Sequence, residues 1–165
     1  MNPEEQKRAR KKAMCLLEHM DRTKKGLSDK LRQAGFSKES IEDALEYVES
    51  FGYLDDARYA RTYIAGRINQ KSKMKILMEL GQKGIDPSVA SEAWEEVQTL
   101  WEPDERAVLR ANILKKYPEN SRLDEKQMRR LYGFLARRGF AWNDISSVLE
   151  ELDIVQVSGN RDAFF

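Results

Sequence analysis

Cys15 and His19 stand one helical turn apart, a spacing at which a thiol and an imidazole can form a nucleophile–base pair. Both are the sole residues of their kind in the chain, and the simpler reading is a helix-packed thiol beside a surface imidazole. A single histidine leaves no multi-histidine metal site, and no histidine-based triad is assigned. No glycine-rich phosphate loop with its lysine is present. The acidic pairs Asp55-Asp56 and Glu95-Glu96 fit a helix cap and a polar helix face. Catalytic residues, cofactor and metal are accordingly expected to be absent, and the chain is read as a non-enzyme.

Charge offers more than nucleophiles do. The net charge is only +1 although 35% of residues are charged, so the balance alone says nothing of nucleic acid. Its distribution is uneven. From Arg58 to Lys83 seven bases accompany one acid, Glu79. From Ile85 to Glu105 there are seven acids and no base, and from Lys126 to Arg138 five bases and no acid. Basic stretches on neighbouring elements can build a continuous positive surface on a near-neutral chain. On a wheel of about 100° per residue, Arg58, Arg61, Ala65 and Asn69 share a solvated arc, and Tyr59, Ala60, Tyr63, Ile64 and Ile68 share the opposite one. Arg67 falls within the apolar arc, where it must snorkel, pair with an acid or face a partner. The run Arg67, Lys71, Lys73, Lys75 continues without an acid until Glu79. Such a strip suits phosphates, each neutralised contact releasing counterions with a salt slope of roughly −0.7 on single strands. The candidate contact residues are Arg58, Arg61, Arg67, Lys71, Lys73, Lys75, Arg129 and Arg130.

These side chains must be held by something regular, and a repeat is legible. Gly35-Phe36, Gly84-Ile85 and Gly139-Phe140 recur at roughly fifty-residue spacing. Four residues before each glycine stand Leu31, Leu80 and Leu135, and four before those Leu27, Ile76 and Leu131. Beyond the glycines, Ile41, Ala90 and Ile145 open a second helical stripe that ends with Val48, Val97 and Leu152. Each unit reads as three helices, the second ending at a glycine in the left-handed conformation. The expected fold is all-α: three tandem three-helix repeats stacked into an elongated, curved bundle. Repeat one is expected over 1–54, repeat two over 55–103, repeat three over 104–152, and a mobile tail over 153–165. Asp55 or Asp56 caps the first helix of repeat two, and Ser37 and Asp86 cap the third helices of repeats one and two. With Ala141 at that place in repeat three, Asn143 is expected to cap the helix half a turn later. Trp94, at a repeated core position, is read as packing. A unit of this size buries too little surface to stand alone, and stacked neighbours supply the remainder.

Scarce proline and abundant Ala, Leu, Glu, Lys and Arg agree with an all-helical chain. One cysteine rules out an internal disulfide framework and suits a reducing compartment. The charged N-terminus has no signal-like core, and no run of about 18 apolar residues exists. The expectation is a soluble cytoplasmic monomer without a membrane or small-molecule partner. A groove-reading helix would carry exposed Arg, Asn or Gln near its start. The third helices begin Ser37-Lys38-Glu39-Ser40, Asp86-Pro87-Ser88 and Trp142-Asn143-Asp144, which counts against a sequence-reading transcription factor. Sequence-independent DNA binding, to single or double strands, stays open.

Gly52-Tyr53-Leu54-Asp55-Asp56-Ala57-Arg58-Tyr59-Ala60, followed by Tyr63-Ile64 and Arg67, resembles the hallmark of the RecX family of recombination regulators. Ile76, Glu79-Leu80 and Lys83-Gly84-Ile85 resemble the second half of that signature. Leu27, Lys30-Leu31 and Gly35-Phe36 fit in repeat one, and Arg138-Gly139-Phe140 more loosely in repeat three. Two departures stand out. Lys25-Gly26-Leu27-Ser28 replaces a Ser-Glu pair frequent in the family, and Gln70-Lys71-Ser72-Lys73 lacks a glycine often found there. The resemblance implies a bundle of three three-helix repeats that binds the filament of the RecA recombinase on DNA. It further implies inhibition of recombinase ATP hydrolysis, strand exchange and co-protease activity, without catalysis by the regulator. Tyr53, Leu54 and Tyr63 would then serve packing between repeats one and two, and the acids of 86–105 would meet a basic protein surface.

Overall fold

The computed structural model describes residues 2–101 and 104–157. In chain order the elements are α1 (Pro3–His19), α2 (Lys24–Gln33), α3 (Lys38–Ser50), α4 (Asp56–Arg67), α5 (Lys73–Gln82), α6 (Pro87–Trp101), α7 (Glu105–Leu114), β1 (Arg122–Leu123), α8 (Glu125–Arg137), α9 (Trp142–Glu151) and β2 (Val155–Gln156). Three successive helix triplets are thus present, as the glycine spacing predicts. Gly35, Gly84 and Gly139 have φ of 92°, 88° and 92°. Each ends the second helix of its triplet, and the following amide bonds back across the turn: Phe36 to Leu31, Ile85 to Leu80 and Phe140 to Leu135. That bond is what a left-handed residue at the helix end makes possible.

Most expected caps are in place. The Ser37 hydroxyl accepts from the Ser40 amide, Asp55 Oδ1 from Arg58 N, and Asp86 Oδ1 from Ser88 N. Asn143 is the exception. Helix α9 starts at Trp142 behind Ala141, without a side-chain cap, so Asn143 lies inside the first turn. The tail also departs from expectation. Ile154 is buried, and Val155–Gln156 pairs in parallel with Arg122–Leu123. An apolar residue three places beyond the last helix gives the chain something to bury, which holds 154–157 down. Residues 158–165 lie outside the described part.

The chain divides into two compact units, and the division does not follow the repeats: it falls within α4 and α5. The first unit runs up to Ala65 and adds Leu77–Leu100; the second joins Gly66–Ile76 to the chain from Trp101 onward. In the first, α1 fully buries the small Ala9 and Ala13 and packs Met14, Leu16 and Leu17 against a core with Leu27 and Leu31 of α2 and Ile41, Ala44, Leu45 and Val48 of α3. In the second, Leu109, Ile113, Leu123, Leu131, Leu135, Phe140, Ile145 and Leu149 are among the buried residues of one cluster. Burying each such side chain is worth about 1.5–3 kcal/mol. Trp94 is buried as expected.

The repeats are joined by a device used twice. At the start of α2 the Thr23 hydroxyl donates to Lys83 O (2.9 Å), and Lys24 N donates to Asp56 Oδ1 (2.8 Å). At the start of α5, Ser72 N donates to Arg138 O (3.0 Å), and Lys73 N donates to Glu105 Oε1. The two amide–carboxylate bonds each span 32 residues. A lysine stem lies against the glycine in both, Lys25 on Gly84 and Lys75 on Gly139. The N-terminus of a second helix is therefore seated on the C-terminal end of the next repeat's second helix. Its free N–H groups meet a carboxylate there, and a helix C-terminus, rich in carbonyl oxygen, favours nearby lysine.

Surface ion pairs set an acid limit on this fold. Hydrogen bonds from Arg10 hold the Asp43 carboxyl below the ordinary carboxylate range, and those from Arg106 and then Arg110 do the same for Glu151. A depressed folded-state value means stabilisation that is present above the unfolded value, about 4, and is lost as pH falls through the folded one. The melting midpoint is expected to drop between pH 5 and pH 3. Asp43→Asn should flatten part of that drop in circular-dichroism melts, and an unchanged pH profile would remove Asp43 from the account.

Candidate partner-binding surface

The basic connection between α4 and α5 is fixed at several points, all within the second unit. Gln70 N and Lys71 N bond back to Arg67 O at 2.8 and 3.1 Å. Ser72 is buried; its amide reaches Arg138 O, and its hydroxyl caps α5 by accepting from Lys75 N at 3.1 Å. Arg138 is the hub. Its Nη1 donates to Asn112 Oδ1 (2.8 Å) and lies 3.5 Å from Gln70 O, while its guanidinium sits 4.5 Å from the Phe134 ring centroid. Asn112 is buried, and its Nδ2 donates to Val108 O at 2.8 Å. A buried amide oxygen with one strong donor is costly to orphan. Arg138→Ala is therefore expected to destabilise the second unit by about 1–3 kcal/mol, read as a lower urea midpoint. Arg138→Lys should recover only part, because an ammonium does not reproduce the guanidinium fork.

This anchoring presents a short basic surface. Lys73 is exposed and Lys71 and Lys75 are half-buried, with Lys71 and Lys73 each also engaged by a contact of their own. Arg67 is half-buried, as the apolar arc requires, and likewise engaged within the protein. Arg129 and Arg130 are exposed in the first turns of α8, Arg129 lying 3.4 Å from Glu125. Arg138 ends the same helix, about 12 Å farther along at 1.5 Å per residue.

Arg58 and Arg61 belong to the first unit and turn to its own groups. Arg58 Nη1 donates to Gly52 O at 2.8 Å, and Arg61 Nη1 pairs with Glu96 Oε2 at 3.3 Å. Two of the motif's three expected packing residues behave as such: Leu54 is buried, and Tyr63 is buried with its hydroxyl donating to Glu79 Oε1. Tyr53 differs, being 49% exposed and stacked on Phe51. The reason is that Gly52, at φ 77°, turns the chain outward before Leu54 re-enters the core. Cys15 is also exposed rather than packed, on the outer side of α1 together with His19. The acidic stretch is largely occupied internally. Asp86 and Asp104 cap helices, Glu96 meets Arg61, and Glu105 receives Lys73 N.

Sequence reasoning missed Arg138, Asp56 and Glu105 as the residues that fix the connections. A signal was available: Lys24 and Lys73, each following a hydroxyl residue, precede an acid by the same interval. Among the described residues no group of three or more His, Cys, Asp or Glu could hold a metal ion, and no helix is long and apolar enough to cross a membrane. A groove of about 710 Å³ lies between α8 and α9 and is lined by Met128, Tyr132, Trp142, Leu149 and Val155 among others.

Comparison with known proteins places this architecture. Residues 9–47, 55–93 and 104–149 match the family models described as RecX, first, second and third three-helix domain, in that order. The regulatory protein RecX of Prosthecochloris aestuarii is 32% identical over 154 residues, covering 92% of this chain and 98% of its own. That of Clostridium acetobutylicum is 32% identical over 147 residues, covering 87% of this chain and 68% of the relative. The chain spans only about two thirds of the length of such clostridial relatives. A crystal structure of regulatory protein RecX superposes with a TM-score of 0.64 at 25% identity, over 90% of this chain and 72% of that one. The Lactobacillus salivarius RecX structure shares the fold, with a TM-score of 0.62 over 92% and 99% of the two chains at 20% identity. With its three helix triplets matched one by one and in order, the chain belongs to the RecX family of regulatory proteins.

Proposed function

We propose that this chain is a non-catalytic regulator that binds the RecA–DNA filament and inhibits recombinase ATP hydrolysis, strand exchange and co-protease activity. The observation that carries the reading is the anchored connection 68–72 and the first turn of α5 that follows it, which together carry Lys71, Lys73 and Lys75 on a segment with little freedom left to lose. A preorganised basic surface meets phosphates or acidic side chains without the entropy cost of ordering a loop. Arg67, Arg129 and Arg130 extend this surface as proposed contacts, and Arg58 and Arg61, which belong to the first unit, are secondary proposed contacts. The protein would act in the cytoplasm, as a monomer and without a cofactor.

The test is single-stranded-DNA-dependent ATP hydrolysis by a bacterial RecA with this protein titrated in. Suppression well below one regulator per recombinase supports filament binding. No effect at equimolar amounts, with an active recombinase from a matched source, sinks the reading. The second reading, sequence-independent DNA binding without the recombinase, is favoured by the same lysines. It predicts strongly salt-dependent affinity for bare DNA and unchanged ATP hydrolysis.

A further inference from the structure

Among the described residues the junction device has three possible seats, of which two are filled. Buried pairs one turn apart mark corresponding positions in the first helix of each repeat: Ala9 and Ala13, Ala60 and Ile64, Leu109 and Ile113. Four residues before each pair stand Glu5, Asp56 and Glu105. Asp56 and Glu105 receive the first amide of a seated helix. Among the described residues Glu5 receives no such helix and accepts from Ser37 N at 2.6 Å, within its own repeat. The glycines divide in the same way. A Cβ on Gly84 or Gly139 would fall under 3.0 Å from a lysine stem, whereas around Gly35 there is nothing within 4 Å. Ala34 and Gly35 are both exposed.

Resting on the reading that the chain binds the recombinase, we infer that this end of the first repeat is a docking seat for a helix N-terminus of that partner. The chemistry of the occupant follows from the two seats already filled: a Ser or Thr at the N-cap, then a lysine two or three residues on. The hydroxyl or amide of the cap meets the Ala34 carbonyl as Thr23 and Ser72 meet Lys83 and Arg138. The lysine stem crosses Gly35, and the first helical amide competes for Glu5. A second copy of this chain is a poor occupant. The one second helix with no seat in the junctions described, α8, begins with Asp124, closed in a capping box with Gln127. An acid at that place would face carbonyl oxygen. The strand pair β1–β2 also flanks this N-terminus.

Gly35→Asn tests the seat, because asparagine tolerates positive φ and its side chain has open space in the free protein. Gly52→Asn, also at positive φ with nothing within 4 Å, is the matched control. Binding of labelled full-length chains to RecA–single-stranded-DNA filaments is measured by fluorescence anisotropy, with melting midpoints for all three proteins. The expected result is about a tenfold weaker Kd for Gly35→Asn, wild-type affinity for Gly52→Asn, and nearly equal midpoints. Undiminished binding by Gly35→Asn would overturn the inference while leaving filament regulation intact. Failure of the wild type to bind would instead remove the recombinase reading and this seat's occupant with it. Concentration-dependent dimerisation abolished by Gly35→Asn, seen by sedimentation, would reassign the seat to a second copy and overturn the partner assignment.

Discussion

Gly139→Ala is expected to cost about 2–5 kcal/mol, whereas Gly35→Ala should cost only about 1–2 kcal/mol. Both substitutions place a Cβ on a residue at φ 92°, which carries a penalty of about 1–2 kcal/mol for the left-handed conformation. Only at Gly139 does the new methyl also run into packed atoms, under 3.0 Å from Lys75 Cβ and Ser72 Oγ. The first belongs to the root of its side chain and the second to the α5 cap, so neither can swing away cheaply. Overpacking of that kind adds about 1–3 kcal/mol. Gly84→Ala should resemble Gly139→Ala, since Lys25 Cβ and Cδ occupy its methyl position. Urea denaturation of the three variants checks the ordering. Because the chain has two compact units, Gly139→Ala should move the transition of the second and Gly84→Ala that of the first. Equal losses at Gly35 and Gly139 would mean that the close approach contributes nothing.

The second large effect concerns binding. Replacing Lys71, Lys73 and Lys75 together by glutamate is expected to weaken binding to the RecA–DNA filament roughly 100-fold. The salt slope should become shallower by about 0.7 for each phosphate that is no longer neutralised. Stability is expected to fall as well, since Lys75 lies against Gly139 at the C-terminal end of α8 and the Lys73 amide meets Glu105, so binding is compared at a temperature where melts show both proteins folded. Lys11→Glu, an exposed change on α1, serves as the charge control. Wild-type affinity in the triple variant would remove the connection from the interface and turn attention to Arg129 and Arg130.

How far the sequence could be read depended on whether a feature is local. The three glycines announced their own conformation, because only glycine takes positive φ without cost and each followed an apolar stripe that had to stop. Ser37, Asp55 and Asp86 were legible as caps for the same local reason. Asn143 misled, because Ala141 opens α9 with no side-chain bond at all and tertiary packing of Ile145, Val148 and Leu149 starts the helix regardless. The short strands were invisible: two residues carry no period, and pairing partners some thirty positions apart leave no pattern in either segment. Charge was legible as a distribution but not as availability. Nothing local showed that Arg58 would bond the Gly52 carbonyl, or that Arg138 would turn to a buried Asn112 and fix the lysine-bearing connection. The junctions lay between these extremes, their residue types visible and their long-range partners not.

Those junctions also order events in time. Thr23 is synthesised 60 residues before the Lys83 carbonyl it must meet. At roughly 5–20 residues per second a ribosome leaves that hydroxyl waiting about 3–12 s. Until then the N-terminus of α2 is an open helix end, exposed to any chaperone or neighbouring nascent chain. Each of the first two triplets is completed only when its successor has emerged, so a product stalled within the second or third triplet would carry one unseated helix N-terminus.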